Sequence, residues 1–148
     1  MRPRRWLAAA TAVAAVATAG SLYFSLGLGL VPCELCWYQR ILMYPLVLIL
    51  GMAAVEERAG VYRTALPLSV GGFGIAAYHS YVQLQAAAGP GFCSAAGGSC
   101  AAIQWTAPVL GLTIPNLSLI AFALITLSLV GMVRQAASAG SSTSPVSG

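Results

Sequence analysis

The chain of 148 residues carries seven basic and three acidic side chains, so 7% of its residues are charged, against about 25% in an ordinary soluble domain. Hydrophobic residues make up 59% of the chain, and the mean hydropathy is +0.84. A domain this small cannot bury so much apolar surface, and a disordered chain needs low hydrophobicity and high charge. The composition therefore excludes both classes and indicates one small integral membrane domain.

Four apolar stretches lie between the charged residues, and each is long enough to cross a bilayer. About 20 helical residues span the hydrocarbon core, and none of the stretches shows the alternation of a membrane β-strand. The sequence predicts an all-α, four-transmembrane-helix bundle over residues 1–136, followed by a flexible cytoplasmic tail at 137–148. The predicted spans are about 6–30, 37–55, 65–83 and 114–133.

The arginines predict how the bundle is oriented. Three precede the first span, two lie between the second and third, and one follows the fourth. Because short cytoplasmic loops are enriched in Lys and Arg, we expect cytoplasmic termini and extracytoplasmic loops at about 31–40 and 84–113. Arg40 is the exception to this distribution. A cleaved signal peptide is a competing interpretation, since an Ala-rich run follows the first arginines.

The four cysteines fall in pairs in the two predicted outer loops, Cys33 with Cys36 and Cys93 with Cys100. An oxidising compartment is where disulfides persist, and the Cys-x-x-Cys spacing is typical of redox-active pairs. Arg40 follows Cys36 by one helical turn, where its charge would stabilise a thiolate or an anionic reduced cofactor. The pattern predicts a redox site at the outer membrane surface.

Other roles for the cysteines stay open at this point. Two structural disulfides would also explain two pairs. A zinc site is disfavoured because the six residues between Cys93 and Cys100 exceed the spacing of a zinc knuckle, so no metal is expected. Haem attachment needs a histidine directly after Cys36, where Trp37 stands.

Residues 32–40, Pro-Cys-Glu-Leu-Cys-Trp-Tyr-Gln-Arg, resemble the signature P-C-x-L-C-x-x-[QE]-R of the disulfide bond formation protein B family (DsbB, with its BdbC branch). Residues 100–105 and 111–115 are similar to the family segment that enters the fourth helix, and His79 matches a family position. The resemblance covers roughly residues 5–134. It implies a quinone-dependent protein-disulfide oxidoreductase in the bacterial inner (cytoplasmic) membrane. Such an enzyme reoxidises a thioredoxin-like, DsbA-like extracytoplasmic thiol oxidase and passes electrons to ubiquinone or menaquinone.

The resemblance also implies a role for each site residue. Cys36 would face the quinone, which Arg40 would bind, and His79 would either line the quinone-binding site or move protons. Cys33 would pair with Cys36 and, during turnover, with Cys100. The partner would attack Cys93, but the segment from Cys93 to Cys100 is shorter than in the prototype enzymes, which leaves the order of thiol attack open. Weaker candidates are Gln83, Gln104 and Trp105.

Two rival functions are compatible with a small redox bundle. A vitamin K epoxide reductase-like enzyme shares the quinone chemistry but usually carries its Cys-x-x-Cys late in the chain. A non-enzymatic transporter or assembly factor could use the cysteines as staples, although a cation transporter would need a carboxylate within a span, and the predicted spans have none. No nucleic-acid partner is expected.

Overall fold

The computed structural model describes residues 3–88, 98–108 and 110–141, and this part of the chain is helical. An isolated bridge between Thr106 and Thr113 is the only β-type pairing in those ranges, so the all-α prediction is confirmed. A π-helix at Tyr23–Gly27 extends the first helix, and a 3-10 turn at Ala59–Val61 precedes the third. The α-helices are α1 (Pro3–Leu22), α2 (Glu34–Val55), α3 (Tyr62–Ala88), α4 (Gly98–Ala101) and α5 (Ile114–Ser141).

The four long helices form an antiparallel bundle in which α1 packs on α2 and α5, and α3 packs on the same two helices. The Nε1 of Trp6 donates to Oε1 of Gln135 at 2.9 Å, which joins the start of α1 to the end of α5. At the opposite end, the second turn of α2 meets the second half of α3 through Gln39 and His79. The start of α1 and the end of α5 therefore share one end of the bundle, and the Cys-x-x-Cys lies at the other.

Within the described residues, three helical segments are long and apolar enough to cross a membrane, namely Pro3–Gly27, Glu34–Val55 and Ile114–Ala139. Helix α3 has sufficient length, but it is less apolar. The reason is its polar content, which includes the buried side chains Ser69, His79 and Gln83. The predicted four-helix arrangement is present, and three of its helices meet both requirements of a span.

Some predicted boundaries differ from the structure. Helix α2 begins at Glu34, before the predicted residue 37, because Cys33 already takes the N-cap position. Helix α5 continues to Ser141 and so includes residues 137–141, which the sequence assigned to a flexible tail. Residues 142–148 of that tail lie outside the described residues.

The core runs along the bundle axis, where large side chains of α1, α2 and α5 are fully buried. Helices α3 and α5 approach closely at Gly72, where an added Cβ would lie 2.1 Å from Cε1 of Phe122. Large apolar side chains also cover the outside, including Val16, Leu48 and Leu127, as expected where lipid replaces water. The largest buried apolar side chains are Leu7, Leu46, Leu50, Phe122, Ile125 and Leu129.

Candidate active site

The start of α2 places the two sulfur atoms of the Cys-x-x-Cys side by side. Cys33 is the N-cap residue with extended backbone angles (φ −72°, ψ 172°), and its carbonyl accepts a hydrogen bond from Trp37 N at 3.1 Å. Cys36 lies in the first turn, so its side chain returns toward the cap. The two Sγ atoms are 2.9 Å apart, and both residues are free thiols.

A third thiol lies on the other side of Cys33. Helix α4 carries Cys100, which is buried and free, and its Sγ lies within 4.8 Å of Cys33 Sγ. The Nε2 of His79 lies 3.7 Å from Cys33 Sγ and 3.1 Å from the carbonyl oxygen of Cys100. Cys33 Sγ therefore lies next to two other sulfurs, those of Cys36 and Cys100, and is placed to form a disulfide with either one.

The hydrogen bonds of His79 assign its protons. A carbonyl oxygen can only accept, so the contact with Cys100 O requires a proton on Nε2. In the neutral ring Nδ1 is then an acceptor, and Nε2 of Gln39 donates to it at 3.0 Å. His79 therefore presents an N–H group to both Cys33 and Cys100.

The local environment favours the protonated form of Cys33. Its hydrogen bond to the Cys36 sulfur and its burial raise the pKa of Cys33 to about 11, from a usual 9.0. Burial also raises the pKa of Cys100. Both thiols thus keep their protons at neutral pH unless a base or a change of partner removes them.

Arg40 lies one turn after Cys36 and is fixed by the end of the first helix. Its Nη2 donates to the carbonyl oxygen of Ser21 at 3.0 Å and to Oγ of Ser25. The guanidinium carbon also lies 5.5 Å from the centroid of the Trp37 ring, within the range of a cation–π contact. Ser25 belongs to the π-helix, a form that is often found at functional sites.

A cavity of about 540 Å³ opens between α1, α2 and α5, and Cys36, Gln39 and Arg40 form part of its wall. Both Ala12 and Ser25 line it. Because a helix rises 1.5 Å per residue, these two residues are separated by roughly 20 Å along the helix axis, and the cavity is correspondingly long. The polar groups gather at the Arg40 end. Most of the remaining wall is apolar, with Val13, Val16, Ala17, Leu117, Ala121 and Leu124 among its members.

A second, small cavity of about 20 Å³ lies on the thiol side, lined in part by Cys33, Cys36, His79 and Gln83. The loop that follows α4 closes this side. Gln83 Nε2 donates to the carbonyl oxygen of Ala102 at 3.4 Å. Two further contacts fix the loop: Gln104 Nε2 donates to Val31 O at 3.1 Å, and the rings of Trp105 and Phe24 are 4.8 Å apart.

The structure brings together most of the residues that the sequence indicated. Cys33, Cys36 and Cys100 form one cluster, and Arg40 borders the large cavity, whereas Cys93 lies outside the described residues. His79 contacts the thiols and is not among the residues that line the large cavity. Three close sulfurs favour exchange between partners over two independent structural disulfides.

Sequence reasoning did not single out Gln39, Ser21 or Ser25. Gln39 occupies the [QE] position of the motif and follows Cys36 by three residues, so its place on the same helical face could have indicated it. The two serines had no such signal, because their contacts with Arg40 depend on the packing of α1 against α2.

Comparisons with known proteins agree with this arrangement. Residues 3–132 match the family model described as Disulfide bond formation protein DsbB. The chain is 44% identical over 126 residues to Disulfide bond formation protein C of Bacillus subtilis, covering 81% of this chain and 86% of that protein. It is 43% identical over 132 residues to a probable disulfide formation protein of Deinococcus radiodurans, covering 83% and 84%. A probable disulfide formation protein of Coxiella burnetii is 38% identical over 123 residues, covering 79% and 80%.

No solved structure matches the chain significantly. The family match covers far more than half of the chain, and the relatives are similar along most of their own length. The family is membrane-bound, which agrees with the three apolar helices, and its members promote disulfide formation. This chain therefore belongs to the DsbB family of disulfide bond formation proteins.

Proposed function

We propose that the chain is a thiol:quinone oxidoreductase that reoxidises an extracytoplasmic thioredoxin-like protein. The net reaction converts the dithiol of the partner and a membrane quinone into the disulfide of the partner and a quinol. The observation that carries this proposal is the position of the Cys33–Cys36 pair. Cys36 borders the large apolar cavity, while Cys33 contacts His79 and lies beside Cys100 on the thiol side.

The large cavity fits a ligand with a polar head and a long apolar tail. Ligand sites are mostly apolar with a few convergent polar groups, and here Gln39, Arg40 and Gln104 supply those groups near Cys36. The apolar groove between α1 and α5 leads away from them. A quinone bound there would supply a two-electron acceptor that leaves as quinol after gaining two protons.

Arg40 would stabilise the negative charge that develops at this end of the cavity. A fixed cation in a site with little water interacts strongly with developing charge and needs no reorganisation. Its contacts with Ser21 O and Ser25 Oγ hold the guanidinium near Cys36 before any ligand binds.

The thiol side would supply electrons through disulfide exchange. The Cys100 thiolate attacks Cys33 Sγ in a Cys33–Cys36 disulfide, so a Cys33–Cys100 bond forms and Cys36 leaves as a thiolate. The Nε2–H of His79 faces Cys33 and can stabilise negative charge on its sulfur during this exchange. Cys36 is then the thiolate that borders the large cavity.

The partner thiolate would attack Cys93 in a disulfide between Cys93 and Cys100, the two cysteines of the second outer loop, and this step would release the Cys100 thiolate used in the exchange. The arginine distribution supports cytoplasmic termini in the bacterial cytoplasmic membrane, with the cysteines outside. The quinone would enter from the bilayer, because an apolar oxidant partitions there instead of into water.

The test uses the full chain in lipid nanodiscs with a reduced thioredoxin-like carrier and a quinone analogue. We expect quinone to disappear in a one-to-one ratio with carrier dithiol, and the Cys36→Ser variant to lose this activity. Gly20 borders the large cavity, and a Cβ there would meet nothing within 4 Å. Gly20→Phe should therefore raise the KM for quinone at least about tenfold by occupying the groove.

Gly74→Phe is the matched control, because a Cβ at Gly74 also meets nothing within 4 Å and the residue lies away from the cavity. It should keep the wild-type KM. Correctly inserted wild-type protein that oxidises no carrier in the presence of quinone would overturn the proposal. Equal effects of the two Phe variants would overturn the assignment of the cavity.

A further inference from the structure

The thiol cluster has the composition of a metal site. Cys33 Sγ, Cys100 Sγ and a ring nitrogen of His79 lie within 4.8 Å of one another, and all three residues are buried. Sulfur and nitrogen ligands of one tetrahedral zinc ion are separated by roughly 3.6 Å, given bond lengths near 2.3 and 2.1 Å. Cys33 Sγ and His79 Nε2 already lie 3.7 Å apart.

The small cavity beside this cluster provides independent support. Its volume of about 20 Å³ is the size of one water molecule. Gln83 borders it, and the Oε1 of this side chain is buried without a hydrogen-bond partner in the described part of the chain. A buried acceptor without a donor is costly, and a metal-bound water would supply the donor.

We propose that the reduced chain binds one thiophilic divalent cation of the Zn²⁺ or Cd²⁺ class through Cys33, Cys100 and His79. A water molecule held by Gln83 Oε1 completes the coordination. Thiolate and imidazole ligands select such cations over Mg²⁺ and Ca²⁺. Cys36 stays outside this ligand set, because its sulfur is not among the donor atoms that all lie within 4.8 Å of one another.

Binding of the cation changes the protonation of the three ligand side chains and leaves the oxidation state of the sulfurs and of the metal unchanged. The two thiols release one proton each, and the cation takes their place on the two sulfurs. The proton of His79 moves from Nε2 to Nδ1, so Gln39 must turn its Oε1 toward the ring to accept it. A ligating histidine commonly donates its other N–H in this way.

The oxidation state of Cys33 controls the site. A disulfide from Cys33 to Cys36 or to Cys100 removes a required thiolate, so only the reduced chain binds the cation. A bound cation in turn occupies the sulfur that exchanges between two partners. This regulatory part rests on the proposed function: the cation holds the enzyme reduced and stops turnover.

The binding test uses the full chain in nanodiscs, reduced without oxygen and titrated with Co²⁺ as a spectroscopic probe. We expect one equivalent to bind, with thiolate-to-cobalt charge transfer and the strong visible bands of a tetrahedral site. The oxidised wild type should show neither signal. Cys100→Ser and His79→Ala should weaken binding at least about 100-fold, the upper end of the effect of changes next to metal ligands.

Cys36→Ser and Cys93→Ser are matched controls that remove a thiol outside the proposed ligand set. Both should bind Co²⁺ as the wild type does, with the same helical circular dichroism in every variant. Unchanged binding in Cys100→Ser and His79→Ala would overturn the site, and so would equal binding by the oxidised chain. Loss of binding in either control would overturn the ligand assignment.

Inhibition is measured separately. Zn²⁺ should stop thiol-dependent quinone reduction, a chelator should restore it, and Mg²⁺ should have no effect. Tight Co²⁺ binding without inhibition by Zn²⁺ would overturn the regulatory part. Tight Co²⁺ binding by a chain that reduces no quinone in any condition would instead reject the proposed function and leave the metal site intact.

Discussion

Gln39 donates to Nδ1 of His79 at 3.0 Å, and this hydrogen bond connects the wall of the large cavity to the thiol cluster. It fixes the ring so that Nε2–H points to the carbonyl oxygen of Cys100 and toward Cys33 Sγ. A donor aimed at the attacked sulfur orients it and stabilises the negative charge that it gains in the transition state. Gln39 is therefore a positioning residue that acts through His79.

Replacing Gln39 tests this role. Gln39→Leu removes the donor to Nδ1, so the His79 ring can adopt the other tautomer or turn. We expect kcat with a reduced carrier to fall about 10- to 100-fold, the scale seen when the residue that orients a functional histidine is lost. Gln39→Glu should not recover the rate, because a carboxylate only accepts hydrogen bonds and so favours a proton on Nδ1, which leaves Nε2 of the neutral ring without one.

The tautomer can be measured directly because His79 is the only histidine in the chain. In ¹⁵N-histidine-labelled wild type, NMR should report a proton on Nε2, and Gln39→Leu should show a mixture of tautomers. If Gln39 only stabilised the fold, Gln39→Leu would lower the amount of folded protein and leave the histidine spectrum of the folded fraction unchanged. A wild-type ring with its proton on Nδ1 would contradict the assignment.

Arg40 provides a second prediction, concerned with the large cavity. Arg40→Ala should lower the rate of quinone reduction by about 10²- to 10³-fold, as when one group that stabilises developing charge is removed. Ser25→Ala removes one of the contacts that hold the guanidinium and should raise the KM for quinone less than tenfold, a smaller effect because Ser21 O remains.

The control for these changes is Arg63→Ala. Arg63 lies near the start of α3, at the end of the bundle away from the cysteines, and its loss should leave quinone kinetics unchanged. Stopped-flow reduction of the quinone analogue measures all three variants. If Arg63→Ala slowed quinone reduction as much as Arg40→Ala does, the loss of one positive charge would explain both results, and the local contacts of Arg40 would not be the cause.

Gly72 gives a prediction about stability. A Cβ on this residue would lie 2.1 Å from Cε1 of Phe122, so α3 and α5 would have to separate or the ring would have to move. Gly72→Ala should lower the free energy of unfolding by about 1–3 kcal/mol, as overpacking does. Gly74→Ala should be neutral or slightly stabilising, because a Cβ there meets nothing within 4 Å.

Unfolding in mixed micelles, followed by circular dichroism, compares the two glycine variants. Adding Phe122→Leu to Gly72→Ala should recover part of the loss if the clash is the cause, since the double variant removes the contacting ring atoms. Equal stability of the Gly72→Ala and Gly74→Ala variants would contradict the tight approach of α3 and α5.

Local spacing explains what the sequence could predict about the site. Cys33, Cys36 and Arg40 lie within seven residues of one helix start, so the helical repeat alone placed them together. The arginine distribution indicated which helix ends share a side. The four long helices followed from four apolar stretches, each of about the length that a bilayer requires.

Long-range packing explains what the sequence could not predict. The contact of His79 with Gln39 joins residues 40 positions apart, and its contact with Cys100 spans 21 positions. The structure places His79 against the thiols, a contact that the sequence did not indicate. The π-helix that carries Ser25 had no signal in the sequence, since the hydropathy of residues 23–27 suits an α-helix equally well.

Cys33 provides the last prediction, which concerns pH. Its hydrogen bond to Cys36 and its burial raise the pKa to about 11, so the fraction present as thiolate should increase tenfold per pH unit up to that value. In reduced, chelator-treated protein, the rate at which a small reagent alkylates Cys33 should therefore have its midpoint near pH 11. Cys36→Ala removes the largest cause of this shift, so the midpoint should fall.

The same shift affects stability with a defined sign. The folded reduced chain holds the Cys33 proton at a pH where the unfolded chain has released it, so the free energy of unfolding should decrease as pH rises from 9.0 to about 11. Mass spectrometry of the Cys33 peptide measures the alkylation, and Cys33→Ser gives the baseline for the stability series. A wild-type midpoint at or below 9.0 would mean that Cys33 does not donate to Cys36, and the roles of the two sulfurs would then be reversed.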